Sequence, residues 1–386
     1  MKEIIMPILE GEKDELISLR RELHKNPELS KEEYKTAEFI ENYLKKAGYT
    51  PKRVNKTGVI AYLDCGKGDA TLLRADIDAL PVDEKNNVDY KSQNPGVMHA
   101  CGHDAHMAML LLTAKILQEH KSRLKTNVLF VFQPDEEVDG GAEFIINSGI
   151  LKQYNVTNAL GYHVMNDITV GKVMIKPGAL MAAPDDFSIK IIGTGGHGSM
   201  PDACIDPISI ATRIVTRLND ITNQVIKNGE KQVVQVCKIC GGTSSNVIPG
   251  ECEITGTARN FNEEVRRKIP EMIENVIKEE TGKKGALYNF SFNYSYPPLI
   301  NNTELAEKVK GLLEKNIPDV VITKDKPYML GEDFAYFAKE VPSLFMILGT
   351  GNEEKGITQP LHSDVFTIDE EGLTLGVAIY LAVLFL

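Results

Sequence analysis

The segment Asn127–Phe132 reads Asn-Val-Leu-Phe-Val-Phe, and this short apolar run predicts a buried strand. Before it, Met107–Gln118 is strongly apolar and long enough to form a helix. Three further short apolar segments predict strands: Val59–Leu63, Thr71–Ala75 and Ala159–Tyr162. Because helices that alternate with short apolar strands are typical of an α/β sheet, we expect an α/β domain around these segments.

The sequence pattern changes after residue 183. Phe187–Ile192 alternates between apolar and polar side chains, as a strand with one solvated face does. The following segments predict a helix, two strands, a helix and a strand, at residues 207–224, 232–239, 252–260, 263–280 and 286–294. This β-α-β-β-α-β order is the ferredoxin-like pattern. We therefore expect one domain made from residues 1–183 and 298–386, with an inserted α+β domain at 184–297.

The composition argues against several classes of protein. A chain of 386 residues is too long for one core of ordinary size, so two domains are expected. The net charge of −11, with no basic tract, argues against a nucleic-acid partner. Six cysteines spread over this length are unlike the disulfide framework of a small secreted protein. The N-terminal segment has no signal-peptide core, and the longest apolar run, Val377–Leu386, is shorter than the roughly 20 residues that cross a membrane. We therefore expect a cytoplasmic protein.

The segment Met98–His106 predicts a metal site. It contains one thiol, three imidazoles and a carboxylate directly before the helical run. Thiolate and imidazole are ligands that suit zinc and similar divalent metals. Cys101 and His103 lie at the expected helix start, where backbone N–H groups and the helix dipole should favour the thiolate over the thiol. The alternative is a buried cysteine beside a helix-capping Asp104, and the convergence of several ligand types favours the metal site.

Other metal-binding residue types follow apolar segments later in the chain. Glu136 and Glu137 come after the strand at 127–132, His163 follows a short strand, and His362 lies in a Pro-Leu-His-Ser loop. Two adjacent carboxylates can divide their roles, one binding a metal and the other acting as a base. An isolated acidic pair is usually a solvated turn and a lone histidine is usually structural. Their position at the ends of strands favours a shared site.

The segment Cys237-Lys238-Ile239-Cys240 is a C-x-x-C pattern, which can indicate redox or zinc chemistry. It lies in an alternating strand, where residues three apart point to opposite faces, and no second pair follows. We interpret it as structural.

The order of these motifs resembles the binuclear metal-dependent aminoacylases, the amidohydrolase group with hippurate hydrolases, N-acetyl-diaminopimelate deacetylases and auxin-conjugate hydrolases. The matching blocks span nearly the whole chain: His24–Leu29, Arg74–Pro81, Met98–His106, Gln133–Gly141, Gly195–Ser199, Asn246–Pro249, Glu332–Phe334 and Leu361–Ser363. The resemblance implies a zinc-exopeptidase-like, mixed-sheet catalytic domain. It also implies that the inserted domain serves for homodimerisation, and we expect that domain to close over the site as a lid.

The resemblance also implies roles for individual residues. The positions that match the family's metal ligands are Cys101, His103, Glu137, His163 and His362. Glu136 matches the general base, and Asp78 matches an acidic residue that orients a ligand in more distant relatives. Those relatives have a metal-binding histidine where Asp76 stands, so the role of Asp76 stays open.

Three residues of the inserted domain are candidates for contact with the substrate. The resemblance suggests that His197, in a glycine-rich loop, stabilises an oxyanion, in its own subunit or across a dimer interface. Without the resemblance, a histidine between glycines is an ordinary loop residue. Asn246 and Arg259 are weaker candidates for holding the substrate, since Arg259 could pair with an α-carboxylate, although an arginine at a strand end is most often solvated.

We therefore hypothesise a hydrolase that cleaves the amide bond of small N-acyl amino acids, with a hydroxide shared by two divalent metals and Glu136 as base. Zinc, manganese, nickel and cobalt can all bind ligands of these types, so the sequence does not determine the identity of the metal. A carboxypeptidase or dipeptidase acting on small peptides is the near alternative. A non-catalytic metal-binding protein and a thiol-redox protein built on Cys101 are alternatives of a different class.

Overall fold

The computed structural model describes residues 2–224, 232–317, 320–322 and 327–385. These residues form two compact units: residues 1–178, 301–326 and 333–386 belong to the first, and residues 179–300 and 327–332 to the second. Each unit is described by itself below.

The elements before the second unit are α1 (Lys2–Lys25), α2 (Tyr34–Lys46), β1 (Lys52–Val54), β2 (Gly58–Leu63), β3 (Ala70–Asp76), α3 (His103–Glu119), β4 (Asn127–Gln133), α4 (Gly141–Asn147), α5 (Ile150–Gln153), β5 (Val156–Thr169), β6 (Val173–Met174) and β7 (Gly178–Met181). There follow β8 (Ala183–Ile192), β9 (Gly196–His197), α6 (Pro207–Gln224), β10 (Val233–Gly241), β11 (Val247–Ile248), β12 (Glu251–Asn260), α7 (Glu263–Gly282), β13 (Leu287–Asn293) and β14 (Leu299–Asn301). The chain ends with α8 (Thr303–Asn316), β15 (Val321–Ile322), α9 (Ala335–Glu340), β16 (Ser343–Gly351) and α10 (Leu373–Phe385).

The first unit is built on a mixed sheet. Within the described residues its strand order is β1-β2-β4-β3-β5-β16-β6-β15. The central strands β4, β3, β5 and β16 run parallel to one another, and β2 and β6 pair antiparallel on either side. Every residue of β3, β4 and β16 is buried, which explains why β4 reads as an apolar run rather than an alternating one.

The helix α10 accounts for the apolar C-terminal run. Its side chains are buried on nearly all sides, so it packs within the core of the first unit instead of presenting an apolar face to solvent. Among the helices of the described residues, none combines the length and apolar content that crossing a membrane requires.

The second unit contains an antiparallel sheet with strand order β10-β12-β8-β13 in the described part of the chain. Its buried face carries Ile189 and Ile254, against which the apolar sides of α6 and α7 pack through residues such as Ile214 and Ile273. The elements occur in the order β-α-β-β-α-β. This is the predicted ferredoxin-like arrangement, and the fold-class prediction of an α/β domain with an inserted α+β domain is confirmed.

The C-x-x-C segment lies on β10, an edge strand of this sheet. The pairing of β10 with β12 shifts register between Val236 and Lys238, and Cys237 and Cys240 are both exposed. The regular alternation that the sequence predicted for this segment is therefore interrupted by a bulge. Both thiols are free.

Candidate metal centre

The candidate metal centre lies in the first unit, where parallel strands end beside the start of α3. Asp76 ends β3 opposite Gln133, the last residue of β4. Glu136 and Glu137 follow β4, and His163 lies within the neighbouring β5. Because parallel strands present their carboxyl ends at one edge of the sheet, chain segments far apart in sequence meet there.

Gly102 determines how the chain enters α3. Its φ is +84°, and a Cβ atom at this position would lie 2.4 Å from Cγ2 of Val164. A larger residue would meet both backbone strain and a steric clash. Gly102 therefore permits the close approach of α3 to β5, which brings Cys101 next to His163.

Cys101 and His163 form the first contact of the site. Cys101 Sγ lies 3.3 Å from His163 Nε2, and both residues are 6% exposed. His163 Nδ1 donates a hydrogen bond to the Val164 carbonyl oxygen at 2.7 Å, so its Nε2 carries the lone pair that faces the sulfur. Burial, together with the neighbouring His106, lowers the pKa of His163 well below its usual value, so this ring is neutral.

The expectation that the helix start alone favours a Cys101 thiolate is wrong. Burial, and then the carboxylates of Glu137 and Glu136, raise the pKa of the Cys101 thiol well above its usual value. A thiolate at this position needs a nearby positive charge, such as a divalent cation.

His103 is oriented by one of its ring nitrogens and leaves the other without a partner. Its Nδ1 donates to the Asp78 carbonyl oxygen at 2.9 Å and to Asp78 Oδ1 at 3.2 Å. Among the described residues, the buried Nε2 has no hydrogen-bond partner, and neither does the buried Oε1 of Glu137, which lies 3.8 Å away. Burial opposes protonation of His103, but the carboxylates of Asp76, Asp78 and Glu137 raise its pKa to about 10.

These two unpartnered atoms test whether the residues fit a metal. Buried polar atoms without hydrogen bonds are rare in folded proteins and require an explanation. Here a ring nitrogen and a carboxylate oxygen face the same space, and a metal cation bound in place of the ring proton would satisfy both of them. The donor set of thiolate, imidazole and carboxylate suits zinc and other divalent transition metals.

Glu137 also approaches His362. His362 Nε2 lies 3.4 Å from Glu137 Oε1, and the histidine side chain is 53% exposed. The backbone of His362 has a φ of +66°, and its N–H donates to the Ala100 carbonyl oxygen at 2.8 Å. A left-handed conformation at a residue other than glycine costs about 1–3 kcal/mol, and such strain concentrates at functional sites.

Potential ligand atoms gather in overlapping triplets within the described residues of this unit. One triplet contains Cys101, His103 and His163, and another contains Cys101, Glu137 and His362. In each triplet, one donor atom per residue lies within 4.8 Å of the other two. The structure therefore brings together all five residues that the sequence predicts as ligands, and Cys101 is shared by the two triplets.

Glu136 is held beside this ligand set. It is 8% exposed and forms a third group with His103 and Glu137 by the same distance limit. The preceding Asp135 has a φ of +59°, and its N–H donates to Glu33 Oε1 at 3.0 Å. The chain around Glu136 is therefore fixed by its backbone.

Glu33 is itself fully buried. Its Oε2 accepts a hydrogen bond from Thr57 Oγ1 at 2.8 Å, while Oε1 accepts from the Asp135 N–H. Burial raises the pKa of Glu33 to about 7. Glu33 was not predicted to be part of the site, because it stands in a run of charged residues, where burial is not expected.

Asp78 connects two of the predicted ligands. Besides its contacts with His103, its Oδ2 accepts hydrogen bonds from Ser30 Oγ at 2.7 Å and from the Glu137 N–H at 3.0 Å. The side chain is buried, and burial opposes its ionisation, but the hydrogen bond from His103 lowers its pKa. Asp78 is therefore placed to orient the His103 ring and the Glu137 backbone together.

Asp76 and His106 belong to the same cluster but are already engaged. Asp76 Oδ1 accepts from His106 Nδ1 at 2.6 Å, and Asp76 Oδ2 accepts from Arg74 Nη1 at 2.7 Å. Asp76 Oδ2 also lies 3.6 Å from His103 Nε2. His106 lies in the segment that predicted a metal site, but no role was predicted for it.

The three predicted substrate-contact residues belong to the second unit. His197 is exposed and pairs with Val247 between the short strands β9 and β11. The structure brings His197 close to Asn246, because the Gly198 N–H donates to the Asn246 carbonyl oxygen at 2.8 Å. Arg259 lies on β12, in a different sheet from β9 and β11, and its Nη1 donates to the Asp185 carbonyl oxygen at 3.2 Å.

Comparison with known proteins gives three informative matches. An N-acyl-L-amino acid amidohydrolase of Geobacillus stearothermophilus is 43% identical over 306 residues, covering 78% of this chain and 82% of the relative. Thermostable carboxypeptidase 2 of Saccharolobus solfataricus is 38% identical over 369 residues, covering 94% of this chain and 93% of the relative. The crystal structure of a Bacillus subtilis protein, described as a dinuclear metal-binding peptidase from the M20 family, has a TM-score of 0.85 and 33% identity, and 97% of each chain is covered.

A family model supports the same conclusion. Residues 72–385 match the model of peptidase family M20/M25/M40. This range includes all five predicted ligands and the second unit. The resemblance identified from the motifs is confirmed, and the protein belongs to peptidase family M20/M25/M40.

Proposed function

We propose that the protein is a metal-dependent amidohydrolase that cleaves the amide bond of small N-acyl amino acids. The observation that carries this proposal is the pair of buried, unpartnered atoms, His103 Nε2 and Glu137 Oε1, beside a second carboxylate, Glu136. The name of the Geobacillus stearothermophilus relative supports the substrate class.

We further propose that two divalent cations bind this site, as in the dinuclear relative. The residues that would hold them are Cys101, His103, Glu137, His163 and His362. When bound, such cations lower the pKa of water towards neutrality and stabilise negative charge on a carbonyl oxygen. Zinc, manganese, nickel and cobalt are all compatible with this donor set.

Glu136 is proposed as the general base. Its carboxylate would accept a proton from the attacking water and then donate that proton to the leaving amine. The two carboxylates have different roles in this scheme, because Glu137 contributes a ligand atom and Glu136 exchanges the proton. Asp78 keeps the His103 ring in one orientation throughout the cycle.

The second unit is proposed to contact the substrate and to form a homodimer. His197 Nδ1 accepts a hydrogen bond from the Ser199 N–H at 3.2 Å, so the neutral ring carries its proton on Nε2. That N–H would donate to the developing oxyanion, in the same subunit or in a partner. Asn246 and Arg259 would hold the substrate, with the Arg259 guanidinium on its α-carboxylate. We propose that residues 184–297 act as the lid and dimerisation domain.

The experiment is a substrate panel on purified protein, with hippurate, N-acetyl amino acids and dipeptides assayed side by side. Activity should be lost with EDTA and restored by one or more of zinc, manganese, cobalt and nickel. Hydrolysis of N-acyl amino acids above dipeptides supports the proposal, and metal-independent activity would contradict it. Light scattering tests the homodimer, and cell fractionation tests the proposed cytoplasmic location.

Carboxypeptidase activity is the second candidate, since the Saccharolobus solfataricus relative carries that name. It predicts faster cleavage of dipeptides than of N-acetyl amino acids in the same panel. The non-catalytic alternative predicts metal binding without turnover of any substrate. The redox alternative requires a reactive Cys101, which its burial and its raised pKa disfavour.

A further inference from the structure

Asp76 is fully buried at the end of β3, and both of its carboxylate oxygens are in use. Oδ2 accepts a hydrogen bond from Arg74 Nη1 at 2.7 Å, and Oδ1 accepts one from His106 Nδ1 at 2.6 Å. Both distances are short, as expected for hydrogen bonds to an ionised carboxylate. The contacts of Asp76 therefore indicate that it orients the His106 ring and is not simply a metal ligand.

The second nitrogen of His106 fixes its tautomer. The backbone N–H of Val164 lies 2.9 Å from His106 Nε2. A peptide N–H can only donate, so Nε2 must carry a lone pair, and the proton of the neutral ring is on Nδ1. Asp76 is the acceptor for that proton. The carboxylate and the peptide together leave His106 one acceptable tautomer.

The same peptide group determines the tautomer of His163. The Val164 carbonyl oxygen accepts a hydrogen bond from His163 Nδ1 at 2.7 Å, so His163 presents Nε2 towards Cys101. The N–H and the carbonyl of Val164 are thus held by two different imidazoles. Any rotation of this strand segment would break both hydrogen bonds and move His163 Nε2.

Arg74 anchors the other end of this chain of contacts. Its Nε donates to Gln133 Oε1 at 2.9 Å, and its Nη2 donates to Asp333 Oδ1 at 2.7 Å. Gln133 Nε2 donates to the second oxygen of Asp333 at 2.7 Å, and the Arg74 side chain is 1% exposed. A buried charge held by hydrogen bonds in this way has a fixed orientation.

We propose that Asp76 and His106 are positioning residues that act through the Val164 peptide to hold His163 Nε2 towards the metal centre. We call the series Arg74, Asp76, His106, Val164 and His163 the imidazole relay. The inference rests on the proposed function, because it takes His163 as a metal ligand. It assigns to Asp76 the work of orienting a ligand, where more distant relatives place a ligand itself.

The chemistry of an amide explains why Asp76→Asn should disrupt the imidazole relay. An asparagine offers one acceptor and one pair of donors, whereas Arg74 and His106 both donate to this position. Either the amide N–H₂ opposes Arg74, or it forces the His106 proton onto Nε2, where it opposes the Val164 N–H. Both outcomes loosen the peptide that orients His163.

The experiment measures metal affinity by competition with a chromophoric chelator. The variants are Asp76→Asn, His106→Phe and the double variant, with wild type alongside. Loss of a residue that orients a metal ligand typically weakens metal binding by about 10–100-fold, and we expect this for each single variant. The double variant should bind no more weakly than the worse single variant, because both changes break one series of contacts. The visible spectrum of the cobalt-loaded protein should change in each variant.

Thr113→Val is the matched control. Thr113 is fully buried on α3, as His106 is, and its hydroxyl donates only to the Met109 carbonyl oxygen of the same helix at 2.7 Å. This change removes a buried hydrogen bond outside the imidazole relay, so metal affinity should stay within about threefold of wild type, a shift below 1 kcal/mol. Circular dichroism establishes that each variant is folded.

Wild-type affinity in Asp76→Asn or in His106→Phe would overturn the inference, and so would independent, additive losses in the double variant. If neither variant folds, the wild-type protein still provides a test. Long-range ¹H–¹⁵N spectra of histidine-labelled, metal-free protein should show His106 and His163 protonated on Nδ1, and an Nε2–H signal from His163 would contradict the relay. A wild-type protein that binds no divalent metal would overturn the proposed function itself, which distinguishes the two failures.

Discussion

The metal centre of the first unit and the His197 loop of the second unit are built in opposite ways. Cys101, His103 and His163 are all at most 6% exposed, and each of the two rings is oriented by a hydrogen bond to a main-chain carbonyl. His197 and Asn246 are exposed, and their side chains hydrogen-bond to the hydroxyls of Ser199 and Ser244. The first region is held by the core of its unit, whereas the second lies where the short strands β9 and β11 pair.

This difference separates two kinds of function. Metal ligands must be held in a fixed geometry, and burial among parallel strand ends provides it. Residues that contact a substrate can lie on exposed loops, because the substrate itself completes their surroundings. Changes at the metal ligands of the first unit, or at the residues that orient them, should therefore affect metal binding and stability. Changes at His197, Asn246 and Arg259 of the second unit should affect turnover and substrate affinity alone.

The largest effect is expected for Glu136→Gln. The amide keeps the shape of the side chain but cannot take a proton, so kcat should fall by about 10²–10⁴-fold. Metal content, measured by atomic absorption, should not change. Glu143→Gln, at an exposed position on α4, is the control and should retain full activity. Near-wild-type kcat in Glu136→Gln would remove Glu136 from the role of base.

His197→Ala tests the other side of the comparison. Loss of one donor to an oxyanion typically lowers kcat by about 10²–10³-fold, and we expect a decrease of this order. Metal affinity should stay at the wild-type value, because His197 is absent from the ligand set. Lys278→Ala, on the surface of α7 in the same unit, serves as the control. A parallel loss of metal in His197→Ala would break the distinction between the two regions.

Gly102→Ala tests how tightly the first region is built. The added Cβ would lie 2.4 Å from Val164 Cγ2, at a φ of +84°. Strain and overpacking together should lower the free energy of unfolding by about 2–5 kcal/mol, measured in urea. Gly66→Ala has a similar φ of +71° but no atom within 4 Å of its Cβ, so only the strain of about 1–2 kcal/mol is expected. Equal losses in the two variants would show that the α3–β5 contact is loose.

Glu33→Gln gives a pH-dependent effect of known sign. Because burial raises the pKa of Glu33 from 4.5 to about 7, its contribution to stability is fully present below pH 4.5 and is lost as the pH rises through 7. Between pH 5 and pH 8 the wild-type free energy of unfolding should fall by about 3 kcal/mol from this group. A glutamine can still accept from the Asp135 N–H and donate to Thr57, so the variant should lack this slope. Parallel stability curves from pH 5 to pH 8 would contradict the assignment.

Arg259→Lys should give the smallest effect. Lysine keeps the charge but not the planar, bidentate geometry of the guanidinium, so KM should rise by about tenfold, with kcat nearly unchanged. Arg267→Lys, at an exposed position on α7, is the comparison variant. An unchanged KM would exclude Arg259 from carboxylate binding.

The sequence predicted the elements that depend on local pattern. The apolar run of β4 and the alternating β8 are typical of a fully buried and a half-buried strand, and both occur in the structure. The residue types of Met98–His106 and of the later acidic pair and histidines indicated a metal site, and the resemblance to the aminoacylases assigned the five ligand positions. The burial patterns of β4 and β8 can be recognised in the sequence because each extends over several residues.

Contacts set by tertiary packing could not be predicted in this way. The spacing of His103 and His106 does not tell which ring has a free nitrogen, since that depends on Asp78, Asp76 and the backbone of β5. The pKa of Cys101 was misjudged because the helix start is visible in the sequence, whereas burial among carboxylates is not. The positive φ of His362 likewise has no counterpart in residue type.

The most direct test of the account is anomalous diffraction from crystals grown with zinc or manganese. The account predicts two metal peaks in each subunit, with Cys101 Sγ and nitrogen or oxygen atoms of His103, Glu137, His163 and His362 within about 2.0–2.4 Å of them. Metal peaks at other residues, or these five side chains beyond ligand distance of any peak, would contradict it.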